Sequence, residues 1–290
     1  MTAKPIVAGT DGSEESLRAV GWAARQAVLH GAGLRIVSAA ALPPVIGFQV
    51  RPERDVVARL IRTERDRALA VAAARAAEMA PGLLIDTDPL AGRPAQAVTD
   101  SGSGASMLVL GSRGIGAFSA MALGSVSWYA AAHASCPVVV VRDETAGVHR
   151  QVGIGVGDLD HCANSLTFAF EEAALRKAGL MAIHASHVPQ FGISRAGTAS
   201  PAPGADAVET EAARQLERLL DKWRKKYPDV PVSQDVVRGH PGRALVGLSA
   251  RADLVVIGRH ARHCGLQGPG SVRHAVLNHA LGPIAVVPSS

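Results

Sequence analysis

Apolar positions along the chain fall into two alternating rhythms. Short apolar runs occupy Ile6 to Gly9, Leu34 to Ala39, Leu83 to Thr87, Met107 to Gly111 and Val138 to Val141. Longer stretches between them mix apolar and polar residues at helical spacing and open near Ser13, Pro52, Pro94 and Gly124. Short buried strands separated by amphipathic helices predict βαβ units, hence a parallel sheet of five strands covered by helices. Asp11-Gly12-Ser13 and Gly92-Arg93-Pro94 supply the turn and first-turn residues expected at two of the helix starts.

The whole rhythm then repeats. Met107-Leu-Val-Leu-Gly111 is echoed by Leu254-Val-Val-Ile-Gly258, 147 positions later, and the same spacing pairs Gly92-Arg93-Pro94 with Gly239-His240-Pro241 and Asp11 with Asp158. Farther on the spacing is 146, pairing Gly124-Ser125-Val126 with Gly270-Ser271-Val272 and Pro137 to Val141 with Pro283 to Val287, so the second copy is one residue short between Gly258 and Gly270. Self-similarity of this length predicts two tandem domains, 1–143 and 150–290, joined by a polar linker from Arg142 to Arg150. The Gly-, Pro-, Ser- and Ala-rich stretch Val188 to Asp206 reads as a mobile loop before a helix.

Composition narrows the function classes. With 290 residues the chain can bury more than one core, and 48% hydrophobic against 3% aromatic residues suits Ala- and Val-rich α/β packing. The net charge is +5, but basic residues alternate with acidic ones from Arg51 to Arg67 and from Glu209 to Lys226, as on solvated helix faces. Lys222 to Lys226 has no accompanying nucleic-acid motif, so no nucleic-acid partner is expected. Cys136, Cys162 and Cys264 form no C-x-x-C pair and the chain shows no secretory leader, which fits a reducing cytoplasm. The most apolar stretch, Met107 to Val141, is broken by Arg113, His133, Pro137 and several glycines, so no membrane span is expected.

The candidate chemistry lies after the fourth strand. Gly111-Ser112-Arg113-Gly114 is followed by nine residues and then Gly124-Ser125-Val126-Ser127 at a helix start. Glycines let backbone approach phosphate oxygens, and the unpaired N–H groups of a helix start face an anion with the favourable end of the helix dipole. Ser125 and Ser127 offer hydroxyls and Arg113 a charge. In an open parallel sheet the ligand crevice lies at the carboxyl ends of strands one and four, where Asp11 could accept from ribose hydroxyls and the backbone at Ala39 could flank a base. A lone G-x-x-G often makes only a turn; the weight comes from the whole spacing together with Asp11.

Both copies resemble universal stress protein domains. The carriers are Ile6-Val-Ala-Gly-Thr-Asp11-Gly-Ser13, the Gly92-x-Pro94 turn, Gly111-x2-Gly114-x9-Gly124-Ser125 and Pro137 to Val141. The resemblance implies two tandem Rossmann-like domains of the adenine nucleotide alpha hydrolase-like type, each a five-stranded parallel sheet in the order 3-2-1-4-5. It implies ATP binding by the first copy, with magnesium or manganese as candidate companions. By that resemblance Gly9, Asp11, Ala39 and Leu110 contact adenine and ribose, and Gly111, Arg113, Gly114, Gly124, Ser125, Val126 and Ser127 surround the triphosphate. It also implies domain pairing through the last strands, Val138 to Val141 and Ile284 to Val287, within a chain or across a homodimer.

The second copy departs from the pattern. Ala261 replaces the second glycine, Arg262 to Pro269 is one residue shorter than its counterpart, and Arg273 stands where the first copy has Ser127. A Cβ at 261 would crowd a phosphate if position 114 uses positive φ, so ATP is not expected there. His260, His263 and Cys264, with His274 and His279 beyond, fit no common closed zinc set, so no metal site is expected. Arg259, Arg262 and Arg273 make a different anion the better guess, and a decayed site kept for pairing better still.

The leading function is therefore a stress-response or regulatory module that acts through nucleotide occupancy. The alternative is a slow ATPase or a self-phosphorylating protein with Ser125 or Ser127 as acceptor. Against that alternative, no Walker Lys follows the glycines and no general base other than Asp11 stands near Gly114. A flavin carrier is a distant third, with nothing in the sequence to assign that cofactor.

Overall fold

The computed structural model describes residues 3–40, 54–114, 123–142, 148–157, 162–186, 192–193, 199–200, 205–259 and 271–289. The chain divides into two compact units, Met1–Asp143 and Glu144–Ser290. The first contains β1 (Ile6–Gly9), α1 (Glu14–His30), β2 (Leu34–Ala39), α2 (Arg54–Met79), β3 (Ile85–Leu90), α3 (Pro94–Ser101), β4 (Met107–Gly111), α4 (Ser125–His133) and β5 (Val138–Val141). Its pairings, all parallel, run β3-β2-β1-β4-β5.

Every residue of β1, β4 and β5 is buried, which explains their unbroken apolar character. β3 pairs with β2 and buries none of its residues fully. It begins at Ile85, two residues later than the apolar run suggests, because Pro81-Gly82 turns the chain with Gly82 at φ +84 and Leu83 N–H donates to Ala80. Pro89 lies within β3, where a missing N–H is tolerated on an outer strand.

Helix α1 buries Ala19, Val20, Ala23, Ala24 and Ala27 against the sheet. Ser13 caps it by accepting from the Ser16 N–H, and Gly31 ends it in the left-handed region at φ 59. α1 and α2 pack on each other, as do α3 and α4. Right-handed crossovers leading in opposite directions from the central strand place these pairs on opposite faces. Close packing of α1 with α2 depends on small residues: a Cβ on Gly12 would lie 3.2 Å from Ala68, and one on Gly21 3.5 Å from Met79.

The second unit contains β6 (Gln151–Gly155), α5 (Ala163–Arg176), β7 (Gly179–Ser186), β8 (Gly192–Ile193), β9 (Ala199–Ser200), α6 (Ala205–Lys226), β10 (Val232–Arg238), α7 (Pro241–Ser249), β11 (Leu254–Gly258), α8 (Ser271–His279) and β12 (Ile284–Val287). Its parallel pairings run β10-β7-β6-β11-β12, the same order as in the first unit. Here aromatic side chains join α5 to α6: Phe170 stacks on Trp223 and Tyr227 with ring centres 5.7 and 5.4 Å apart. The stretch expected to be a plain loop before α6 contains the antiparallel pair β8–β9; the remainder of Val188 to Gly204 lies outside the described residues.

Candidate functional site

β1 pairs with β2 on one side and β4 on the other, so the chain leaves the carboxyl ends of β1 and β4 toward different faces and opens a crevice between them. The turn after β1 is held by its own hydroxyls. Thr10 Oγ1 lies 3.0 Å from Ser16 Oγ and accepts from Gly12 N–H at 3.1 Å; Ser16 Oγ donates to the Ser13 carbonyl at 2.9 Å. Asp11 Oδ1 accepts from the Ser13 N–H at 3.1 Å and its hydroxyl at 2.6 Å, which fixes the carboxylate at the crevice. Gly12, at φ +85, supplies the backbone this turn requires.

Two glycines after β4 are required by contact. A Cβ on Gly111 would stand 2.8 Å from the backbone C and O of Glu15, because the first turn of α1 lies directly on the end of β4. A Cβ on Gly114 would sit on Asp11 Oδ2. Gly114 is not in the left-handed region; a glycine is required there not by positive φ but by the space it leaves for the Asp11 carboxylate. Gly124 N–H donates to the Ser112 carbonyl at 2.7 Å, closing the loop, and Gly124 caps α4 with no side-chain acceptor. The first N–H groups of α4 are therefore not capped by it.

One cavity of about 270 Å³ collects these groups. All eleven residues singled out in the sequence line it: Gly9, Asp11, Ala39 and Leu110 on the strand ends, Gly111, Arg113 and Gly114 after β4, and Gly124, Ser125, Val126 and Ser127 at the start of α4. Its volume is close to the lower end of ligand pockets, roughly 300 Å³ upward. Sequence reasoning missed Thr10, Ser16, Pro94, Val98 and Leu123, which also line it. Pro94 and Val98, one helical turn apart on α3, carried a signal in the Gly92-x-Pro94 motif; the hydroxyl pair Thr10 and Ser16 did not.

Two side chains differ from the expectation of freely available donors. Ser127 is 5% exposed and its hydroxyl donates to the Gly111 carbonyl at 2.6 Å, tying α4 to β4. Arg113 is partly exposed; its nearest carboxylate is Glu15 at 3.7 Å, and its Nε is buried with no hydrogen-bond partner among the described residues. Among the described residues lining the cavity, Asp11 is the one carboxylate and Arg113 the one cation.

The second unit has a different first turn. Val156 N–H donates to Ile183 O at 2.8 Å as Thr10 N–H donates to Val37 O at 2.9 Å. A Cβ on Gly155 would meet Leu245 as one on Gly9 would meet Val98. Val156 is thus the counterpart of Thr10, and the counterpart of Asp11 is Gly157, not Asp158 as the sequence spacing suggests. The strand register overrules a match made on residue identity one position too far along. Asp158 itself, Ala261 and the shortened loop lie outside the described residues, as do His260, His263 and Cys264. His274 and His279 are exposed on α8. His133 at the end of α4 stacks on Tyr129 at 4.2 Å and hydrogen-bonds its carbonyl at 2.8 Å, a structural role. Arg259 takes the place of Ser112, donating its N–H to Val287 as Ser112 does to Val141, and Arg273 takes that of Ser127. Burial, and then Arg259, lower the pKa of the Arg273 guanidinium.

The sequence model of the universal stress protein family matches residues 2–142 and again 149–288. A universal stress protein of Mycobacterium tuberculosis is 35% identical, over 98% of this chain and 97% of its own. One from Mycolicibacterium smegmatis is 32% identical over 97% and 96%. Among solved structures, a universal stress protein from Archaeoglobus fulgidus shares the fold with a TM-score of 0.71 at 17% identity, covering 99% of both chains. The chain belongs to the universal stress protein family, as a tandem of two such domains.

Proposed function

We propose that the first unit binds ATP and that the protein acts in stress response through occupancy of this site. The observation that carries the reading is the convergence of a carboxylate, a cation, closely approaching glycines and an uncapped helix start on one cavity at the switch point of the sheet. The residues fit the ligand: the Asp11 carboxylate lines the cavity, where it can accept from ribose hydroxyls, and the buried Arg113 Nε has a hydrogen to donate to a phosphate oxygen. Asp11 and Ala39 would hold the nucleoside, and Arg113 with the α4 N–H groups the phosphates. Among the described residues no three His, Cys, Asp or Glu cluster as a metal cage. Magnesium or manganese would thus arrive on the triphosphate.

Occupancy rather than turnover is favoured because Asp11 is assigned to the nucleoside and the Ser127 hydroxyl is committed to the Gly111 carbonyl. The second unit is read as not binding ATP, since Gly157 stands where Asp11 would be needed and arginines replace two serines. Pairing through the last strands, within a chain or across a homodimer, belongs to the same reading, and light scattering distinguishes the two. Titration calorimetry with ATP and Mg²⁺ tests the site itself. Saturable binding, weakened about tenfold or more in Gly114→Ala because the Asp11 carboxylate is displaced, is expected. No binding by the unaltered protein would overturn the proposal.

A further inference from the structure

Glu15 is not among the residues that line the cavity, yet its carboxylate is paired with Arg113, the one cation among the described residues that do. Its place is fixed from both sides. Ser13 caps the helix two residues earlier, and the backbone of Glu15 lies where a Cβ on Gly111 would fall, 2.8 Å away, so the first turn of α1 is seated on the end of β4. From there its carboxylate lies 3.7 Å from Arg113 and 3.8 Å from Arg18. The contact with Arg113 is too long for a hydrogen bond, and Arg113 Nε remains buried without an acceptor among the described residues. The ion pair with Glu15 thus leaves one Arg113 donor without an acceptor among the described residues.

We propose that Glu15 is an exchangeable counter-ion of Arg113, given up for a phosphate group when a ligand enters, so that Glu15 sets how much negative charge a ligand must carry to bind tightly. This rests on the reading of the cavity as a nucleotide site. A phosphate oxygen offers Arg113 both a charge and the missing acceptor. Glu15 keeps Arg18 as partner when Arg113 turns away, so the exchange strands no carboxylate. A neutral nucleoside cannot compete for Arg113, whereas a triphosphate can. Glu15 is thus a positioning and specificity residue outside the nucleotide contacts.

The test compares ATP with adenosine, by titration of the full chain, in the unaltered protein, Glu15→Gln, Arg113→Gln and the double variant. Removing the competing charge should tighten ATP binding about threefold to tenfold in Glu15→Gln, as expected for one nearby, partly screened charge, and leave adenosine unchanged. Arg113→Gln should weaken ATP about tenfold, again without affecting adenosine. In that background Glu15→Gln should gain little. The inference is overturned if Glu15→Gln leaves ATP unchanged or weakens it, shifts adenosine equally, or gains as much without Arg113. Failure of the unaltered protein to bind either ligand overturns the nucleotide reading instead.

Discussion

At the scale of single residues, the site is built from contacts that leave no room for a methyl group. Gly111→Ala would drive a Cβ into the backbone of Glu15, so it should destabilise the first unit by about 1–3 kcal/mol even without ligand, as read by urea unfolding. Ser127→Ala removes a buried hydrogen bond and leaves the Gly111 carbonyl short of one donor, for a loss of about 1 kcal/mol in the same assay. Cys136 gives a pH-dependent check. Burial raises its thiol pKa from 9.0 to about 11. The unfolded chain then ionises first, so the stability this group contributes is intact below pH 9 and is lost as pH rises toward 11. Cys136→Ala should flatten the fall in stability across that window relative to the unaltered protein; equal slopes would contradict burial of the thiol.

At the scale of elements, helix ends carry much of the specification. The start of α1 is legible at Ser13, where the Asp11-Gly12-Ser13 turn leads into helical spacing; its end at Gly31 is set by the left-handed cap. Gly31 has open space around its Cβ position, so Gly31→Ala tests the left-handed cap alone and should cost about 1 kcal/mol in thermal or urea unfolding. The strand runs and the glycine spacing were equally legible, since buried parallel strands and a close-approach loop each demand particular residue types. What the sequence could not yield was the seating of α1 on β4. Glu15 and Arg113 are far apart in the chain and meet only through that packing. The same limit explains the second copy's first turn: Asp158 invited alignment with Asp11, yet backbone hydrogen bonds decide register, and they set Gly157 there. β3 began late for a related reason, since the Pro81-Gly82 turn consumed apolar residues that composition alone assigned to the strand.

At the scale of the whole molecule, duplication has kept one sheet order in both units while the chemistry at the strand ends has diverged. Thr10 gives way to Val156, Ser112 to Arg259 and Ser127 to Arg273. One nucleotide should therefore serve each chain. ATP at a hundred times its dissociation constant would stabilise the unit that binds it by about 2.7 kcal/mol. Hydrogen-exchange protection on adding ATP should appear within 1–143 and be absent from 144–290. The most direct measurement is to denature freshly purified protein, identify and quantify the released nucleotide by chromatography, and repeat with Gly114→Ala and Gly124→Ala. About one ATP per chain, lost in both variants, is the predicted result. Two per chain would contradict the silence of the second unit, and none, with no binding on adding ATP and Mg²⁺, would contradict the nucleotide site itself.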